Sequence, residues 1–179
     1  MVGNPTGDYV LQWTNEGNSG NKDIEAAYYL AYINKIEALR LLSIKIRGTI
    51  FDAQVGSLGS DWAEHPGIQQ LFRRAIDLDC PVNYHGYGPG GLNSHSLQLM
   101  MADESIWFSC ATVQLQARAW ALGVPMPWVI HGEAGTYDPW HGKFSDEVMR
   151  DDTIAFADYL EQYAPYIRHF NLFDYGTDP

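Results

Sequence analysis

The strongest constraint on this chain is the order of its patterns: helical and strand-like stretches alternate, and no Asn-Gly turn joins one strand to the next. Asp23 to Leu42 places Ile24, Ala27, Tyr28, Ala31, Ile36 and Leu39 near helical spacings, with Asp23 as the expected N-cap. KIRGTIFDAQV follows as a β-rich stretch bent at Gly48. Pro66 suits the first turn of a helix that runs through IQQLFRRAIDL. CPVNYH reads as a short strand that gives way to the loop GYGPGGLNSHS. A longer helical pattern covers roughly Leu97 to Leu122, with a break near Asp103 or Ser105 and a stop at Gly123. PWVIH is the next strand and EAGTYDPWHGKFS the next loop. A helix from Asp146 to about Ala164 is ended by Pro165, and HFNLFDY closes the chain as a strand. Repeated βα units imply parallel strands with helical crossovers, so the expected class is α/β, built from parallel βα repeats.

The length of 179 residues suits one domain or part of a larger one, and the expected division is a single α/β domain over 1–179. Within it, 1–22 is an N-terminal arm and 23–179 carries the repeats. With 46% hydrophobic residues there is enough material for a core, which excludes a disordered chain. A formal charge of -11 repels phosphate backbones, so no nucleic-acid partner is expected. No run of about 18 apolar residues exists to span a membrane, and MVGNPTGDYV lacks the basic and apolar regions of a signal peptide. Cys80 and Cys110 form no CxxC, which fits two buried thiols in a reducing, cytoplasmic setting and leaves one disulfide open.

In parallel α/β architectures, chemistry collects beyond the carboxyl ends of strands. Two expected strands end directly on histidines, His85 and His131, although the chain has only six. Neutral imidazoles there suit a divalent metal or proton transfer; the alternative is that both are structural hydrogen-bonding residues. Glu133 beside His131 is a candidate to line a site, whereas Asp138 and His141 read as a surface turn. GYGPGG lacks a phosphate-binding fingerprint, and Asn93 to Ser96 reads as a helix cap rather than a Ser–His nucleophile. Of the tryptophans, Trp140 is best placed to touch a planar substrate, while Trp107 and Trp120 lie on helical patterns.

HPGIQQLFRRAIDLDCPVNYHGYG (His65 to Gly88) resembles the amidohydrolase-2 group of metal-dependent TIM-barrel enzymes, which includes aminocarboxymuconate-semialdehyde decarboxylase. Asp23 to Ala53, AWALGVPMPWVIHGEAGTYDPWHGKFSDEV (Ala119 to Val148) and YAPYIRHFNLFDYGTDP are similar to further stretches of that family in the same order. The resemblance implies a partial or shortened TIM-barrel-like fold, since a complete barrel needs about 250 residues and the family's H-x-H strand motif occurs nowhere in the chain.

The same resemblance makes His85 and Asp178 ligands of a divalent metal such as Zn²⁺. It makes His131 and Asp178 the proton-transferring catalytic residues. Trp140 and Glu133 then serve substrate binding. The implied reaction is decarboxylation or hydrolysis of a small, optionally aromatic, carboxylic acid, with Arg47 a candidate to steer the anion. The metal would lower the pKa of its bound water and polarise the substrate's oxygen. All of this requires that His85 and His131 open onto one cavity. The competing expectation is a non-catalytic truncated barrel relative that acts by association. In either case a homo-oligomer is expected, because an incomplete barrel leaves sheet edges to be covered.

Overall fold

Asn21 starts the first helix: its side chain accepts hydrogen bonds from the backbone N–H groups of Asp23 (3.0 Å) and Ile24 (3.2 Å). The cap is therefore Asn21 and not Asp23, which instead joins Glu25 as an acid in the first turn. This helix, α1 (Lys22–Leu41), buries Ala26, Tyr29, Ile33 and Ile36, while the expected core residues Ile24 and Tyr28 are exposed. The segment AAYYLAYI is apolar on more than one side, so its periodicity does not select the buried face.

The computed structural model describes residues 9–12, 19–42, 45–53, 58–89, 111–137 and 145–172. Within the expected N-terminal arm, β1 (Tyr9–Leu11) pairs in parallel with β2 (Ile46–Gly48). After Thr49 comes β3 (Ile50–Ala53), which pairs with β4 (Val82–Pro89); β5 (Val129–Tyr137) and β6 (Ile167–Leu172) complete a second parallel sheet in the order β3-β4-β5-β6. The Thr49 N–H donates to Leu11 and the Ile50 N–H to Pro81. The run 46–53 thus turns from one neighbour to the other at Thr49, one residue beyond the bend expected at Gly48.

Between these strands lie a 3-10 helix (Ser60–Glu64), α2 (Pro66–Asp77), α3 (Ala111–Ala121) and α4 (Asp146–Tyr163). Strand order follows chain order within each sheet, and crossovers of the usual right hand would carry the described helices to the same face. The buried cluster agrees: residues of α1, α2 and α3 share it with Phe51, Val82, Tyr84 and Val129. Phe51 anchors that layer. Its ring meets Tyr29, Trp62 and Phe72 edge-on, with centroids 5.5, 5.4 and 6.0 Å away, and its backbone adopts φ 70°.

The α/β class with parallel βα repeats is what the chain adopts among the described residues. Three strand boundaries differ from expectation. β4 runs on through Gly86 to Pro89, and β5 through Gly132 to Tyr137, where loops were expected. These two extensions pair with each other, Gly86 with Ala134 and Gly88 with Thr136. Their ladder is made by backbone groups, and glycine-rich sequence carries no side-chain pattern to announce it. The last strand begins at Ile167, two residues before the expected start. No described helix is long and apolar enough to cross a membrane.

Candidate functional site

Register decides which side chains share a face. Tyr84 stands opposite His131 on the neighbouring strand, and their rings meet edge-on with centroids 5.7 Å apart. Both belong to the helix-covered face. On it, His131 Nε2 lies 3.3 Å from the Thr112 hydroxyl of α3, and its ring tilts against Phe156 of α4 at 6.1 Å. Full burial, reinforced by the nearby imidazole of His85, lowers the His131 pKa to about 4. His131 is therefore neutral near pH 7.

Alternation along β4 turns Asn83 and His85 to the other face, away from the helices. Gly132 faces the same way: a Cβ on it would lie 2.4 Å from Asn83 Oδ1. Gly132 is the extra residue of an irregularity in β5, where the register jumps so that His85 stands opposite Glu133. His85 is fully buried and Asn83 nearly so. The Asn83 amide donates to Asp52 Oδ1 at 3.0 Å, and the Thr49 hydroxyl donates to that same oxygen at 2.5 Å. Asp52, at the end of β3, is also fully buried. Burial, and then the Asp52 carboxyl, push the neighbouring Tyr32 hydroxyl well above its ordinary range.

The structure thus places His85 midway along β4, with Glu133 beside it in register, but sets His131 on the opposite face. The two histidines do not open onto one cavity. Sequence reasoning placed both at strand ends, whereas β4 and β5 run on to Pro89 and Tyr137, and it did not fix the register between the strands. Arg47 is not poised over a site either; its Nε lies 2.6 Å from Asp79 Oδ2 in an ion pair at the other end of the sheet. Trp120 is exposed and Trp62 is core. Asp178, Trp140, Asp138, His141, Cys110, Trp107 and residues 93–96 lie outside the described residues. Cys80 is a buried free thiol, and burial raises its pKa.

Among the described residues, no group of three His, Cys, Asp or Glu side chains converges as a metal site would require. The described donors therefore do not by themselves fit a catalytic ion. Asp52 and Asn83 are the site residues that sequence reasoning missed. The available signal was PVNYH, where Asn83 and His85 recur at period two beside the apolar Val82 and Tyr84.

At the amino ends of the strands, Ile76, Asp79, Met126, Trp128, Tyr166 and Arg168 line a groove of about 350 Å³. There, Trp128 Nε1 donates to Asp79 at 2.8 Å and the Arg168 guanidinium stacks over Trp128 at 5.1 Å. In parallel α/β folds chemistry collects beyond the carboxyl ends of strands, so the cluster beside the end of β3 is the better site. Comparison with known proteins finds no match: no family model, curated protein or solved structure aligns with the chain.

Proposed function

We propose that the chain is an enzyme acting on a small carboxylic acid. Its site lies beside the carboxyl end of β3, where β4 and β5 run on past it, on the face turned away from the described helices. One observation carries this reading: three polar side chains, Asp52, Asn83 and His85, are buried on that face, beside the point where β3 ends and β4 runs on. Burying polar groups is costly unless they are paired, and parallel α/β enzymes do their chemistry beyond the carboxyl ends of strands, the position this cluster holds relative to β3. The strand order supports reading the sheet as part of a shortened barrel.

In this reading His85 transfers the proton, and Glu133, abreast of it on β5, is the neighbouring acid. His131 acts from behind as a positioning residue that seats the end of β5 against α3 and α4. The reaction class is decarboxylation or hydrolysis, as in the amidohydrolase group. A divalent ion such as Zn²⁺ enters only through His85 together with Asp178, and no step here is routed through it.

The test is turnover of a panel of small carboxylic acids and their amides, followed by CO₂ release or product formation. Turnover lost in His85→Gln and retained in His131→Gln is expected. No turnover of any member, or turnover unchanged in His85→Gln, overturns the proposal. Metal content after chelator-free purification separates an ion-assisted form from a metal-free one.

A second reading rests on the sheet edges. β1 and β6 each pair on one side only among the described residues, and bare parallel edges invite coverage by another copy of the chain. A stable homo-oligomer by light scattering, with no turnover, supports association as the function.

A further inference from the structure

The Asn83 side chain is held in one orientation. Its Nδ2 donates to Asp52 Oδ1 at 3.0 Å, and that oxygen also accepts from Thr49. A carboxylate accepts and does not donate, so the amide nitrogen must face Asp52 and the amide oxygen must face away. That oxygen, Asn83 Oδ1, is buried and has no donor among the described residues. The residue is only 2% exposed, so bulk water does not satisfy it. A buried acceptor left without a partner costs roughly as much as a lost hydrogen bond, and such groups concentrate where a ligand completes them. The oxygen lies against Gly132, whose missing side chain leaves the space in which a Cβ would collide with it at 2.4 Å. His85 is two residues along on the same face.

We infer that Asn83 Oδ1 is a specificity element that accepts a hydrogen bond from a hydroxyl or amino group on the substrate. The substrate class is then a hydroxy- or amino-substituted small acid, as opposed to its ether or unsubstituted counterpart. Asp52 and Thr49 are positioning residues, because they act only by fixing the amide. This inference rests on the proposed site beside the carboxyl end of β3.

Matched acids that differ in one donor test it: glycolate against methoxyacetate, lactate against 2-methoxypropionate, and mandelate against O-methylmandelate. Each is titrated into the full chain by calorimetry. The hydroxy acid of at least one pair is expected to bind at least about ten-fold more tightly than its methoxy partner, since a site built to pair a hydroxyl rejects the analogue that lacks it. In Asn83→Leu the ratio is expected to fall to about one. Should Asn83→Leu not fold, the double variant Asp52→Leu/Asn83→Leu removes both polar partners and serves in its place. Equal binding within every pair that binds, or a preference that survives loss of the amide, overturns the inference while leaving the site standing. Binding of no acid of either kind overturns the site and the inference together.

Discussion

Tyr84, and not His85, is the partner of His131 across β4 and β5, with ring centroids 5.7 Å apart. That one-residue difference sends the two histidines to opposite faces, because side chains alternate with period two. It also separates their chemistry. His131 is sealed among Tyr84, Thr112 and Phe156, whereas His85 is buried with Asn83 and Asp52 on the other face.

Sealing His131 makes stability depend on pH. Its pKa is about 4 in the folded protein against 6.5 for an unperturbed imidazole. Between those values the unfolded chain binds the proton and the folded chain does not, so stability falls as pH drops through this window. Linkage over that interval gives a loss on the order of 2 kcal/mol between pH 7.5 and pH 5 from this residue alone. Urea denaturation at the two pH values is expected to show that loss. In His131→Gln the pH dependence should shrink by a similar amount; an unchanged dependence would mean that the imidazole is hydrated.

Gly132 carries the irregularity that faces Asn83, and an alanine there would bring its Cβ to 2.4 Å from Asn83 Oδ1. The amide cannot simply swing aside, because Asp52 holds it. Gly132→Ala is expected to lower stability by about 1–3 kcal/mol through overpacking. Combined with Asn83→Ala, the two losses should sum to less than additive in a double-mutant cycle, since the second change removes the obstacle met by the first. Full additivity would place the strain elsewhere.

Much of the scaffold was legible because it rests on local signals. α2 follows from Pro66 and the spacing of Ile68, Leu71, Phe72 and Ala75, all buried on one side. The strand that carries His85 was legible from the apolar residues before it, although it runs on to Pro89 and does not end at the histidine. What could not be read was long-range. The face of α1 was hidden by aromatic residues on several sides. The register between β4 and β5 depends on an irregularity at Gly132, a residue with no side chain to report it. Asp52 and Asn83 become a pair only once two strands far apart in sequence lie side by side.

The Asn21 cap supplies a smaller check. Its side chain receives two backbone N–H groups at the start of α1. Asn21→Ala should cost about 1 kcal/mol, and Asn21→Asp close to nothing, because both Asn and Asp accept these bonds. Thermal denaturation of the two variants distinguishes them. A loss for both, or for neither, would mean that the helix starts elsewhere.

Phe51 gives the sharpest test of backbone geometry. Its φ of 70° is unusual for an aromatic residue, and it is tolerated because Tyr29, Trp62 and Phe72 enclose the ring. Phe51→Ala should lose about 3–5 kcal/mol, as expected for emptying a well-packed aromatic site. Glycine leaves a slightly larger void, and in ordinary extended or helical backbone it is the less stable of the two. Here the left-handed conformation reverses that order, since glycine adopts it freely and alanine does not. Phe51→Gly is therefore expected to be more stable than Phe51→Ala, by about 1 kcal/mol, in equilibrium unfolding. If alanine proves the more stable, the turn of the chain at Phe51 is not left-handed, and the placement of Asp52 beside Asn83 must be revised with it.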